Sequence, residues 1–226
     1  MKLLGLIGGT SYHSTLVYYK QINEKVGEYI GKHSNPPLLL YSLNIDLMRL
    51  QNIERINSEY LKIAIKLQNA GAEAIVICAN TPHMVYDYVQ PQIDIPILHI
   101  ADGIGTEAQS GKLHTLGLLG NLPTMTRGFI QKILSEKYQL NTIIPEKLFL
   151  EQTHNYVSRE LTQGIFSDQA KHFFINQMEL LKKKGADGII LGCTELPLLL
   201  NRTDIDLPLL SSTDLHVQMA VDFLLD

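Results

Sequence analysis

Positive charge is scarce in this 226-residue sequence. Its 19 Lys and Arg stand against 23 Asp and Glu, a net charge of −4, which leaves no electrostatic case for nucleic acid or an anionic membrane as partner. The one cationic run, Lys182-Lys183-Lys184, precedes a strand signal and reads as a solvated helix end, where cations suit the dipole. Cysteine is scarce too. Two cysteines cannot build a disulfide framework, so a reducing cytoplasm is the expected compartment. No apolar run approaches the ~18 residues of a membrane-spanning helix. The stretch Met1–Ile7 is too short for a secretory signal and is expected to pass directly into a strand. Low-complexity segments and linkers are missing, so any halves the chain has must pack closely or interweave. The eight histidines show no metal-ligand spacing, and no metal is expected. The Gly5-x-x-Gly8-Gly9 pattern lacks the dinucleotide spacing, and no Gly-Lys-Ser/Thr follows it. It reads as close approach of backbone to a ligand, not as nucleotide binding.

What is present is an ordinary globular composition, 45% apolar and 19% charged, enough to bury the core of one large domain or two small ones. Short apolar runs alternate with longer helical patterns, the signature of βαβ units and a parallel sheet. Strands are expected at Leu3–Ile7, Leu38–Ser42, Ala74–Cys78, Ile97–Ile100, Thr115–Leu119, Thr142–Pro145, Gly188–Leu191 and Leu209–Leu210. Helices are expected at Ser14–Val26, Ile56–Ala70, Pro82–Gln90, Asp102–Gln109, Met125–Lys137, His154–Gln163, Ser167–Lys184, Glu195–Leu200 and Asp214–Leu225. Gly71 and Gly185 each close a long helix, where a left-handed cap favours glycine.

The sequence also repeats itself. Gly71-Ala72-Glu73-Ala74-Ile75-Val76-Ile77-Cys78-Ala79-Asn80-Thr81 aligns with Gly185-Ala186-Asp187-Gly188-Ile189-Ile190-Leu191-Gly192-Cys193-Thr194-Glu195 at an offset of 114 residues. Leu4–Gly9 matches Leu116–Asn121, and Pro96–Asp102 matches Pro208–Asp214, both at an offset of 112. A period of this size is a domain duplication, not a short solenoid repeat. The expected architecture is α/β, two pseudo-symmetric parallel-sheet halves with the ligand cleft between them. The expected domains are residues 1–98 with 208–226, and 99–207, the chain crossing over near 98 and returning near 208.

Ligands of parallel α/β sheets sit at the carboxyl ends of the strands. The polar segments Gly8–Ser11, Ala79–Thr81, Gly120–Thr124 and Cys193–Glu195 fall there. In the repeat register Cys193 lies opposite Ala79, so only one copy carries a side chain able to move a proton. Backbone N–H groups and a helix dipole at the end of the strand would stabilise a Cys193 thiolate; the plainer alternative is a small buried apolar residue. Cys78 precedes Ala79, and strand alternation turns it into the opposite layer, where a structural role is expected. Asn80 and Thr81 open a helix with Pro82 in its first turn. They can cap that helix or hold a carboxylate with the same groups, and the two roles are compatible. His83 lies about one turn further on and can pin the loop.

On these residues the chain resembles the aspartate/glutamate racemase superfamily, and within it the aspartate racemase branch, over essentially its whole length. The resemblance rests on Gly8-Gly9-Thr10-Ser11-Tyr12-His13-Ser14-Thr15 with Tyr18-Tyr19 and Ile22-Asn23, on Asn80-Thr81-Pro82-His83, and on Leu118-Leu119-Gly120 leading to Thr124-Met125. Gly192-Cys193-Thr194-Glu195-Leu196 and the final Ser212–His216 complete it. It implies a cofactor-independent enzyme, a homodimer, acting on a small amino acid. Two cysteines on opposite faces of the α-carbon would exchange its proton by general acid–base catalysis. Cys193 would be one of them, with Thr10, Ser11, Ala79, Asn80, Thr81, Thr124, Thr194 and Glu195 around the substrate and Arg49 or Gln51 near its side-chain carboxylate. A surface cation is the alternative for Arg49.

The departures are specific. The family's first catalytic cysteine directly precedes Asn-Thr, and here that position is Ala79. Some relatives carry threonine there with a cysteine one residue earlier, as in Cys78. Trp-Glu is usual at Tyr12-His13, aspartate at Ser211, and a basic residue at Gln152. Three readings follow: a racemase working mainly from one face, a single-thiol decarboxylase or cis–trans isomerase, and a weakly active carboxylate-binding protein.

Overall fold

The computed structural model describes residues 1–226, and the backbone divides into two compact units, Met1–His99 with His216–Asp226, and Ile100–Leu215. Each contains one four-stranded parallel sheet. In the first unit the strands are β1 (Leu4–Gly8), β2 (Leu38–Ser42), β3 (Ala74–Ile77) and β4 (Ile97–Leu98), in spatial order β2-β1-β3-β4. In the second they are β5 (Thr115–Gly120), β6 (Asn141–Ile143), β7 (Gly188–Gly192) and β8 (Leu209–Ser211), in the equivalent order β6-β5-β7-β8. The sequence repeat is therefore a repeat of topology, and the two-unit parallel α/β class is the one expected.

Strands buried on both faces read as continuous apolar runs, and their alternation assigns each side chain to a layer. In the first unit Leu4, Leu6, Ala74, Val76 and Cys78 pack with Tyr18, Ile22 and Val26 of helix Tyr12–Ile30. Ile7, Ile75 and Ile77 face the other way, onto Ile56, Tyr60 and Ile63 of helix Ile53–Asn69. The second unit repeats the pattern, with Leu116, Leu118 and Ile190 in one cluster and Leu119, Ile189 and Leu191 in the other. The long helices are capped by side chains: Ser11, Asn52 and Ser167 accept from Ser14 N, Arg55 N and Ala170 N, satisfying N–H groups that have no partner inside the helix. Gly71 (φ 93°) and Gly185 (φ 97°) take the left-handed conformation expected of them.

Several expected elements differ in extent. Pro82–Gln90 is not one α-helix but a 3₁₀ segment Thr81–Val85, a single α-turn Tyr86–Val89 and a second 3₁₀ segment Gln90–Gln92. Pro82 and Pro91 have no amide to donate, which favours short, tight turns over a continuous helix. Met125–Lys137 is two helices, Leu122–Thr126 and Phe129–Tyr138, broken where Gly128 adopts φ 79°. The helix expected at His154–Gln163 begins earlier, at Lys147, and beyond Asn155 it widens and then tightens over Tyr156–Gln163. A short helix at Asp46–Arg49 has no counterpart among the expected elements. Ile100 opens helix Ile100–Ser110 and is not part of β4. The boundary between units also differs from the expected return near 208: because β8 pairs with β7, residues up to Leu215 stay with the second unit, and only His216 onward joins the first.

Candidate active site

In a sheet of order 2-1-3-4 the chain reverses its winding between β1 and β3, and ligands of such sheets sit at that reversal, beyond the carboxyl ends of the two strands. In the first unit the segments leaving β1 and β3 are Gly9-Thr10-Ser11 and Cys78-Ala79-Asn80. Side-chain hydroxyls fasten both. Thr15 Oγ1 accepts from Gly9 N at 2.9 Å and donates to Ser11 O at 2.9 Å, while the buried Ser14 hydroxyl donates to Cys78 O at 2.7 Å. The Thr10 and Tyr60 hydroxyls are hydrogen-bonded at 2.8 Å. Tyr60 is fully buried, and burial pushes its phenol far above its usual range, so it stays neutral.

Cys78 lies in the core and is 2% exposed, and burial drives its thiol well above the ordinary range. It is a packing residue, as strand alternation requires. Ala79 is half-buried at the edge. Asn80 is 6% exposed, its side chain makes no helix cap, and its Oδ1 has no hydrogen-bond partner. A buried carbonyl oxygen without a donor is costly and is ordinarily satisfied by protein, water or ligand. The capping alternative for Asn80 is thereby set aside, and an acceptor is left available beside Ala79.

In the second unit the equivalent segments leave β5 and β7. Thr124 is fully buried, its N–H donating to the Oδ1 of Asn121. His154 accepts from Leu122 N at 3.3 Å and so ties the segment after β5; its imidazole is shifted down, first by burial and then by Arg159. Cys193 and Thr194 are half-buried, Glu195 nearly fully so. The Cys193 thiol donates to Glu195 Oε2 at 2.7 Å. This corrects the expectation of a resting thiolate. The N–H groups of Glu195 and Leu196 do favour the anion, but burial and the adjacent carboxylate outweigh them, and the thiol titrates well above its ordinary range. Helix Leu196–Leu199 is a single turn, too short to contribute a large dipole.

The structure thus gathers Thr10, Ser11, Ala79, Asn80 and Thr81 at one sheet edge, and Thr124, Cys193, Thr194 and Glu195 at its counterpart. Arg49 and Gln51 stand apart. Arg49 is exposed and pairs with Asp46 at 3.3 Å on a one-turn helix. Gln51 is exposed at φ 50°. The hollow at the end of β2 is lined by Asp46, Arg55 and Glu59, and neither residue borders it. Arg49 has the surroundings of a surface cation, the alternative noted for it.

Sequence reasoning did not foresee a cluster of three buried histidines. His83, His99 and His216 are each at most 1% exposed, with the His83 ring centroid 4.8 Å from that of His99 and 5.2 Å from that of His216. The available signal was local: His99 interrupts the apolar run Pro96–Ile100, a place for a histidine that is buried and hydrogen-bonded. No group of three or more His, Cys, Asp or Glu side chains is arranged to hold a metal ion.

Two parallel sheets of identical strand order, each with a polar turn at its reversal point, define an α/β protein of duplicated topology with a thiol at one of two equivalent positions. Residues 7–220 match the model of the Asp/Glu/hydantoin racemase family, and the chain belongs to that family. A solved structure described as a putative Asp/Glu racemase from Yersinia pestis is 35% identical, with full coverage of both chains and a TM-score of 0.93. An aspartate racemase homologue from Pyrococcus horikoshii OT3 is 32% identical, again with full coverage of both, at a TM-score of 0.87. The broad-specificity amino-acid racemase RacX of Bacillus subtilis is 22% identical over 216 residues, 93% of each chain. No helix is long and apolar enough to cross a membrane.

Proposed function

We propose that this protein is an amino-acid racemase that needs no cofactor, acting on aspartate- or glutamate-like substrates as a homodimer in the cytoplasm, with Cys193 as its proton-transfer group. The contact that carries this reading is the 2.7 Å hydrogen bond from the Cys193 thiol to Glu195. A protonated thiol is no base, and the carboxylate beside it gives the proton a destination. Transfer from Sγ to Oε2 leaves a thiolate and a carboxylic acid; the thiolate then takes the α-proton of the amino acid. Backbone N–H groups at Glu195 and Leu196 stabilise the transient sulfur anion. Asn80, Thr81, Thr124 and Thr194 hold the substrate's carboxylate region, Asn80 Oδ1 being an acceptor suited to the α-ammonium group, with Thr10 and Ser11 alongside.

Ala79 has no transferable proton. Reprotonation on the face it borders therefore falls to water, and inversion is slow relative to removal and return of the proton on the Cys193 side. Losing one member of an acid–base pair costs ~10²–10⁴ in rate. Arg49 is not assigned to the substrate's side-chain carboxylate: it is exposed and already paired with Asp46.

Incubation in D₂O with each enantiomer of aspartate and glutamate, following α-deuteration by mass and inversion by chiral separation, tests the reading. Deuteration of one enantiomer in excess over inversion is expected. No exchange with any amino acid would overturn it, and unaltered exchange in Cys193→Ala would remove Cys193 from its role. A single-thiol decarboxylase or isomerase would instead release carbon dioxide or convert an unsaturated diacid in the same assay format.

A further inference from the structure

Residues 79 and 80 have no regular structure of their own. They lie between the end of β3 at Ile77 and the 3₁₀ segment that begins at Thr81. Ala79 N donates to Ile77 O at 2.8 Å and His83 N to Asn80 O at 3.1 Å, and a side chain fastens the carbonyls of both residues as well. The His83 ring does so: Nδ1 lies 2.9 Å from Ala79 O and 3.2 Å from Asn80 O. Both partners are carbonyls, so Nδ1 must carry the proton and donate.

We propose that His83 is a positioning residue, whose Nδ1–H fixes the Ala79–Asn80 backbone and thereby aims the Asn80 side chain, with His99 and His216 buttressing it. The inference rests on the racemase reading for its kinetic consequence, but not for its structural one.

The support behind His83 is continuous. His99 meets it edge-on, with an interplanar angle of 74°, and Tyr86 in turn meets His99 at 78°. His216 also packs against His83, at an interplanar angle of 66°. His216 is itself tied at both nitrogens. Nε2 lies 2.7 Å from Leu98 O and so donates, which leaves Nδ1 to accept from the Tyr18 hydroxyl at 2.9 Å. The column therefore anchors the Ala79–Asn80 junction to β4, to helix Tyr12–Ile30 and to the C-terminal helix. A histidine kept only for packing would have no reason to spend its donor on the one irregular step next to Asn80. That asparagine's Oδ1 is buried and unsatisfied, so a small backbone rotation at residue 80 moves an acceptor that has nothing else to hold it.

The test compares His83→Asn, His83→Gln and His83→Phe in the full chain. Asparagine places an N–H near the position of Nδ1, glutamine places it near Nε2, and phenylalanine keeps the ring without a donor. Hydrogen–deuterium exchange of peptides covering residues 77–83 is measured alongside α-deuteration of the substrate. Faster amide exchange in the Gln and Phe variants is expected, with wild-type protection in the Asn variant. Misplacement of a substrate-holding group by about 1 Å costs up to ~10²-fold, so kcat/KM for deuteration should fall about tenfold or more in Gln and Phe and recover in Asn. Equal behaviour of Asn and Gln in both measurements would overturn the proposal, as would unchanged protection and rate in Phe. Should Phe fail to fold, the Asn and Gln pair still decides. Should the wild-type protein deuterate no amino acid, the racemase reading falls, and the amide-exchange comparison alone still judges His83.

Discussion

Cys193 donates its thiol proton to Glu195 at 2.7 Å, two residues along the same turn. The carboxylate is an acceptor for the proton and also a charge that resists formation of the thiolate. Alkylation by iodoacetamide reads the balance, because only the thiolate reacts. Wild-type Cys193 should alkylate more slowly than a free thiol at pH 8. Glu195→Gln removes the charge that raises the thiol, so its alkylation profile should move to lower pH, each tenfold in rate corresponding to ~1.4 kcal/mol. Mass spectrometry of the folded protein should show one modified site, since Cys78 is buried. A Glu195→Gln profile at the wild-type position or above it would contradict the coupling. In D₂O the same variant should lose α-deuteration even as its thiol becomes more reactive.

Ala79→Cys should raise inversion. In the first unit, position 79 matches Cys193 in the repeat register, and the preceding residue, Cys78, is confined to the other layer of the sheet. The substitution adds only one sulfur atom at a half-buried edge position. The expected result is an increase of inversion relative to α-deuteration by ~10²-fold or more, measured by chiral separation beside deuterium incorporation. A rise in deuteration with no rise in inversion would mean that the sulfur does not reach the second face of the α-carbon.

What was legible in the sequence followed from strong local rules. The central strands β1, β3, β5 and β7 are legible as uninterrupted apolar runs because they are buried almost throughout, and Gly71 and Gly185 mark helix ends because few other residues tolerate their φ. Alternation along β3 is enough to place Cys78 in the core, where it packs. Other features depended on contacts distant in sequence. Nothing near His216 announces that Leu98, 118 residues earlier, accepts from its Nε2, whereas the Asp46–Arg49 pair, three residues apart, becomes visible only once the short helix that carries it is known. The protonated state of Cys193 is not legible because helix-terminal N–H groups are visible in a sequence, while the burial and the carboxylate geometry that outweigh them are not. The return of the chain to the first unit is hidden for a similar reason: β8 belongs to the second sheet by its pairing with β7, and a three-residue strand carries no sign of its partner.

Gly9→Ala should unfold or severely weaken the first unit. Gly9 sits at φ +88°, and a Cβ there would lie 2.0 Å from Leu43 O and 2.5 Å from Leu43 N. Leu43 N already donates to Gly8 O at 3.0 Å, so the loop after β2 cannot withdraw without breaking that bond. Strain and overlap together should cost roughly 3 kcal/mol or more, read as a lower urea midpoint. A midpoint unchanged from wild type would show that the approach of the two loops is not required for folding.

Acid should destabilise the protein through His216. Burial, and then the proximity of His83, lower its imidazole from 6.5 to about 3, while the carbonyl of Leu98 acts weakly in the opposite direction. The groups facing it are His83, the Tyr18 hydroxyl and the Leu98 carbonyl, none of which supplies a negative charge. In the unfolded chain the same imidazole takes up a proton below pH 6.5. Between about pH 6.5 and 3 the unfolded state therefore binds more protons, and stability rises with pH across that window and is lost as pH falls through it. By pH 5 the loss from this residue is on the order of 2 kcal/mol. Urea midpoints at pH 7 and pH 5 should diverge in the wild type. They should diverge less in His216→Gln, which keeps a donor for Leu98 O but cannot be protonated. An equal pH slope in the two proteins would mean that His216 is not what acid attacks.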